Sequence, residues 1–218
     1  MKLRILILLS ALLSTSLACQ AATSILQGGV AIPEEVLFQD DFSDPSSGWD
    51  RVSKQEGITD YDDGSYRILV NTTNTDIWAN PDLDFDFTDT RISVDATAGG
   101  GDDDNDFGLI CRYQDDENFY FFVISSDGYY GIGKVSDGAQ QLVGMESMPP
   151  NEVIRQGKLT NQLQADCIGS TLRLHVNGVL LAEVEDSDFT SGNVGLMAGS
   201  FATPGTDIHF DNFVVRKP

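Results

Sequence analysis

The stretch GGGDDDNDFG, residues 99–108, sets four aspartates and an asparagine after three glycines and then enters the apolar string Phe107 to Tyr113. Carboxylate and amide oxygens at this density are the donors a hard cation prefers, and Ca2+ takes six to eight of them from a flexible loop. Asp102, Asp104 and Asp106 are the candidate ligands, with the glycines free to turn main-chain carbonyls inward. The spacing is not that of an EF-hand loop, which needs a Gly at its sixth position and a Glu at its twelfth. The competing reading is a solvated acidic turn ahead of a core strand, because charge runs ordinarily form solvated faces.

A second constellation is aromatic and cationic. Recognition of a sugar asks for flat aromatic faces against its C–H groups and a few polar groups that read its hydroxyls, in a preformed groove. The segments 107–113 and 118–124 read as a hairpin turning at Asp115 to Glu117. A register that pairs Arg112 with Tyr120 and Ile110 with Phe122 puts these four on the face opposite Cys111, and Tyr130 and Lys134 on the next strand join them. The expected ligand strip is therefore Arg112, Tyr120, Phe122, Tyr130 and Lys134, with Trp78, beside Asn80 and Pro81, as a platform at the rim. Trp49 is read instead as a plug closing one end of the molecule. In the competing reading Arg112 and Lys134 pair with neighbouring acids while the aromatics pack under a loop.

Covalent chemistry finds less support. There is no Gly-x-Ser-x-Gly elbow and no Ser-His-Asp arrangement, and His175 and His209 are the only histidines. Cys and His never fall at zinc-ligand spacing.

The elements that must position these residues are strands. Turn pairs recur at Asp63-Gly64, Asp127-Gly128, Asp137-Gly138 and Asn177-Gly178, and between them lie short runs rich in Ile, Val, Phe and Tyr with no apolar period near that of a helix. In TLRLHVNGVLLAEVE the residues Leu172, Leu174 and Val176 alternate with Arg173 and His175, and Asn177-Gly178 suits a type I′ turn. The reading is about a dozen strands, at 38–42, 66–70, 76–79, 90–96, 107–113, 118–125, 129–135, 161–168, 171–176, 179–185, 194–199 and 208–216, in two antiparallel sheets packed face to face. The strand FYFFVIS is apolar on both faces, so one face fills the core and the other lines a groove or lies under a loop.

Residues 1–18 read as an export signal, with Lys2 and Arg4 ahead of an apolar run and small residues near Ala18. The SLAC stretch ending at Cys19 makes that cysteine a lipidation candidate, with ordinary cleavage after Ala18 as the alternative. Residues 19–36 form a patternless linker and 37–218 one domain. The formal net charge of −21 disfavours nucleic acid and anionic membrane surfaces as partners, leaving a lipid anchor as the only membrane attachment. In an oxidising compartment Cys111 and Cys167 are candidates for a disulfide, or are two buried thiols.

The segments DDFSDPSSGW (40–49), YDDGSYRILV (61–70), DFGLICRYQDDENFYFFVISSDGYYGIGK (106–134), NQLQADCIGSTLRLHVNGVLLAEVED (161–186), GNVGLMAG (192–199) and DIHFDNFVV (207–215) together resemble bacterial jelly-roll domains of the concanavalin A-like, laminin-G-like superfamily. Within it they resemble the 3-keto-disaccharide hydrolase-like branch of unknown function. The resemblance implies an all-β jelly-roll sandwich with one concave face, used for carbohydrate binding and sometimes holding a structural calcium ion. It implies a calcium position where the terminal strands meet, at Asp41 and Asp211-Asn212. Glucanases of the superfamily carry alternating acids on one strand in a Glu-x-Asp-x-Glu pattern, which this chain lacks; Asp82-Leu83-Asp84-Phe85-Asp86 and Glu183-Val184-Glu185 come nearest. The expectation is an exported, secreted or envelope-tethered module that binds a glycan. The alternatives are a hydrolase acting on a glycoside or 3-keto-disaccharide, and a protein-binding adhesion module.

Overall fold

A computed structural model describes residues 34–218. The expected signal segment, Cys19 and most of the linker lie outside these residues. In chain order the strands are β1 (Val36–Asp40), β2 (Val52–Ser53), β3 (Gly57–Asp62), β4 (Ser65–Val70), β5 (Thr75–Ala79), β6 (Thr90–Gly100), β7 (Asn105–Asp115), β8 (Asn118–Ile124), β9 (Tyr130–Ser136), β10 (Ala139–Leu142), β11 (Asn161–Ile168), β12 (Thr171–Val176), β13 (Val179–Glu185), β14 (Asn193–Ser200) and β15 (Thr206–Arg216). They form two antiparallel sheets. One runs β13-β12-β11-β6-β15-β4-β3-β2, with β1 added against β15, and the other runs β10-β9-β8-β7-β14-β5. The result is an all-β jelly-roll sandwich.

The core between the sheets is built by alternation. On β12 Leu172, Leu174 and Val176 face inward, as do Ile92, Val94 and Ala96 on β6 and Ile208 and Phe210 on β15. Asn177 and Gly178 both take positive φ in the turn that sends β13 back against β12. Trp49 is buried against Phe42, Tyr66 and Phe213. Cys111 on β7 and Cys167 on β11 are joined as a disulfide, with Cα atoms 6.8 Å apart, so one covalent link ties the two sheets together.

Three strands escape the sequence pattern: β2, β3 and β10. β3 reads GITDYD, whose glycine and aspartates signal a turn, yet Gly57 is placed where a Cβ would lie 2.2 Å from the Leu69 carbonyl oxygen. Tertiary contact with β4, not intrinsic propensity, makes this segment a strand.

The second apolar face of β8 forms its own cluster. Phe119, Phe121 and Val123 join Ile110, Val135 and Met197 on the outer side of the six-stranded sheet, with Leu142, Met148, Trp78 and Tyr113 packed against them. Met148 and Leu142 close over β9, where a Cβ on Gly131 would meet them at 3.0 and 3.1 Å.

Candidate functional site

The β7–β8 hairpin pairs Cys111 with Tyr120 and Leu109 with Phe122, one residue away from the register expected from the sequence. A slip of one residue exchanges the two faces of a strand. The cause is a bulge after Cys111, where Arg112 adopts φ 51° and the register shifts before Asp115. The expected ligand strip is thereby corrected. Tyr120 and Phe122 are fully buried in the inter-sheet core, and Tyr130 packs against that core from its edge.

The two cations of the strip are structural. Arg112, 2% exposed, donates to the carbonyl oxygens of Thr88, Phe189 and Gly169 at 3.2, 2.8 and 2.8 Å, holding three loops with one guanidinium. Lys134 donates to Asp186 and Asp188, and Tyr120 donates its hydroxyl to Asp186. Burial pulls the Lys134 ammonium down, but the bonds to Asp186 and Asp188 outweigh it and hold its pKa above the ordinary value. Burial pushes the Tyr120 phenol up to about 12. Lys134 and Asp186 are thereby mostly buried, whereas Asp188 keeps about half of its side chain exposed (54%).

The calcium candidates do not converge. Asp102 accepts the amide N–H of Asp104, whereas Asp106 turns away to the outer face of the six-stranded sheet. β1 and β15 pair, with Asp40 opposite Phe213, and a hollow of about 300 Å3 lies there, lined by Asp40, Asp41 and Asn212 but not by Asp211. Asp41 accepts from the Ser43 hydroxyl and amide, which lowers its pKa. Among the described residues no group of three or more His, Cys, Asp or Glu side chains is gathered for a metal ion.

What the structure does form is a groove of about 570 Å3 along β5, the edge strand of the smaller sheet. Of the residues singled out in the sequence, Trp78 is the one that lines it, facing Tyr113 and Asp116 from the β7–β8 hairpin. The bulge at Arg112 turns Tyr113 to the outer face, where it joins Trp78. Both rings rest on buried Phe119, with centroids 5.3 Å away for Trp78 and 5.6 Å for Tyr113. Asp116 fixes their edges: one carboxylate oxygen accepts Trp78 Nε1–H at 3.0 Å and the Tyr113 hydroxyl at 2.6 Å. Burial, together with the Asp116 bond, pushes the Tyr113 phenol well above its ordinary range, so it stays a donor. Asp50, Lys54, Glu56 and Asp76 supply charge along the remaining wall.

Behind that wall lies a carboxyl pair. Gly199 on β14 is flanked in register by Asp76 on β5 and Asp106 on β7. A Cβ on Gly199 would lie 2.1 Å from an oxygen of each, so the two oxygens are within twice that distance of one another. Asp106 is 3% exposed and its Oδ1 has no hydrogen-bond partner. Burial, and then the charge of Asp76, raise Asp106 to about 8, and burial raises Asp76 as well. Near neutral pH the pair holds a proton between its two carboxyls, the arrangement that relieves two like charges in contact.

No protein-family model matches the sequence, and no curated protein matches it. The branch of the resemblance that carries the 3-keto-disaccharide label thus has no family model behind it. Solved structures do match the fold. A carbohydrate-binding module, CBM66 from Bacillus subtilis, aligns with TM-score 0.54 at 18% identity over 78% of this chain and 96% of its own. A Bacillus subtilis protein of unknown function with a galectin-like fold aligns with TM-score 0.59 at 14% identity, over 84% and 96% of the two chains. The β-glucanase of Bacillus licheniformis aligns with TM-score 0.59 at 10% identity, over 86% and 100%. At such identities the likeness is one of fold, and function has to be argued from the site.

Proposed function

We propose that this domain binds a glycan non-covalently in the groove along β5. The observation that carries the reading is the pair Trp78 and Tyr113, seated on Phe119 and tied at their edges by one Asp116 carboxylate. Aromatic rings held this way offer a flat face at little further entropic cost, which is what a sugar ring needs. Neighbours of the same fold include a carbohydrate-binding module and a β-glucanase, which favours a carbohydrate ligand over other small molecules. The disulfide and the leader-like first residues support the reading of a domain outside the cytoplasm, secreted or held at the envelope.

The carboxyl pair does not favour hydrolysis. A glycosidase sets its two acids on either side of the scissile bond, roughly 5 Å or more apart. Asp76 and Asp106 instead lie against each other over Gly199, with Asp106 buried, and leave no room for a glycosidic oxygen between them.

The test is a glycan array followed by calorimetry on the purified protein. Trp78→Ala should weaken binding at least about tenfold, the loss of one stacked ring and close to 1.4 kcal/mol. Unchanged affinity in that variant would remove the groove from consideration. An array with no binder at all would return the domain to the adhesion alternative and a protein partner.

A further inference from the structure

Given the groove as a glycan site, we propose that the site runs on into a second hollow on the same face of the six-stranded sheet, and that its ligand is an extended sugar chain held at two aromatic stations. The second hollow has a volume of about 540 Å3 and is lined by Tyr129 and Phe201, together with Met148, Asn105, Ser125 and Asp127. The first argument is where the rings are. Tyr129 and Phe201, 39% and 37% exposed, are the two most exposed aromatic residues among those described, and both line this one hollow. Single apolar residues scattered over a surface need no explanation, but exposed rings from distant parts of a chain gathered at a concavity mark a place for a ligand. Each ring hangs from a pinned backbone. The Ser125 amide donates to the Tyr129 carbonyl oxygen and the Tyr129 amide donates to the Ser125 hydroxyl, both at 2.9 Å. The Phe201 carbonyl oxygen accepts the Asn74 N–H at 2.9 Å, which carries the pairing of β5 with β14 one step further. Rings fixed in this way lose little freedom when a sugar meets them, as with Trp78 and Tyr113 in the groove.

The second argument is continuity. Gly199 on β14 lies opposite Asp76, a wall residue of the groove. Phe201 comes two residues later, so it falls on the same face as a diagonal neighbour of Asp76, at roughly 7–8 Å. The two hollows therefore meet at Asp76 and Phe201. Trp78 pairs with Met197, and the run from Met197 to Phe201 covers roughly 14 Å along the strands. No single sugar ring touches both stations, whereas a chain of several does. The lining of the second hollow is mixed, as sugar recognition requires: rings for the C–H faces, and beside them polar groups for the hydroxyls. Asp127 accepts the Ser125 hydroxyl at Oδ1, which leaves Oδ2 outside that bond.

The experiment is calorimetric titration of the protein with disaccharides and hexasaccharides of the cellulose, laminarin, xylan, mannan and chitin series, and with both lengths of any further glycan that the array picks out. In a series that binds, the hexasaccharide should bind at least about tenfold more tightly than the disaccharide, because the second station is then engaged from the same chain. Tyr129→Ala and Phe201→Ala should each weaken the hexasaccharide several-fold and leave the disaccharide unchanged, a pattern that general damage to the fold does not produce. Trp78→Ala should weaken both lengths, and Tyr129→Phe, which keeps the ring, should retain most of the hexasaccharide affinity. Leu159→Ala removes an exposed apolar side chain outside both hollows and should change nothing. Equal affinity for the two lengths overturns the inference and leaves the groove reading standing, as does full hexasaccharide affinity in both Tyr129→Ala and Phe201→Ala. A loss in Leu159→Ala as large as that in Phe201→Ala also overturns it, as adhesion to apolar surface at large. If neither length of any series binds and the array is blank, the groove reading itself falls, and the extension with it.

Discussion

Arg112 and Asp106 are both buried ionisable groups, and they act on stability in opposite ways. Arg112 satisfies three loop carbonyls that have no other visible reason to lie together. Its replacement by Ala should cost about 2–4 kcal/mol, because the carbonyls are left buried and the space empty. Chemical denaturation checks this, and a loss under about 0.5 kcal/mol would show that water takes the guanidinium's place. Asp106 holds its proton more tightly in the folded chain than an unfolded aspartate does, with its pKa raised from 3.8 to about 8. The folded state therefore binds more protons than the unfolded one between these values, so stability falls as pH rises from about 4 to 8, by at most about 1.4 kcal/mol per pH unit. Asp106→Asn should flatten that slope and stabilise the protein at pH 8; a melting temperature that keeps its pH profile in this variant would contradict the assignment. Asp186 acts in the reverse sense. Burial raises it, the bonds from Lys134 and Tyr120 more than reverse this, and its contribution is lost as pH falls below about 4.

At the scale of elements, the β12–β13 hairpin was legible because Asn177-Gly178 fixes its own turn, and Leu172, Leu174 and Val176 then have one face to fill. The β7–β8 hairpin was not. Its residues are apolar on both sides, so alternation could not choose a face, and the bulge at Arg112 has no sequence signature of its own. Trp78 could be singled out as a rim platform from its Asn80-Pro81 neighbourhood, but Tyr113 and Asp116 reach it only through that bulge. Asp106 stood out in the sequence as an acid among acids. Its real partner, Asp76, is brought to it by β14 and a glycine, which no local pattern reports. One prediction belongs here. Gly199→Ala should push the two carboxyls apart and destabilise the six-stranded sheet by about 1–3 kcal/mol, because a methyl cannot fit beside either oxygen. A stable Gly199→Ala protein with unaltered melting would mean that the pair is not held where the structure puts it.

Over the whole molecule, the link between Cys111 and Cys167 closes a loop of 56 residues between the two sheets. By the chain-entropy account such a loop is worth about 4 kcal/mol. Guanidinium unfolding with and without reductant should show the unfolding free energy fall by about that much, and equal free energies would argue that the reduced chain is already constrained. The fold class was legible from turn spacing and alternation alone, since those properties are summed over many residues. The groove depends on a few contacts between distant strands and so was not. β5, which forms one wall of the groove, is also the unpaired margin of the smaller sheet. Exposed margins of this kind invite another chain to add itself as a further strand. A ligand lying along β5 would occupy that invitation, so the colloidal behaviour of the protein, and not only its affinity, should change when the groove is filled.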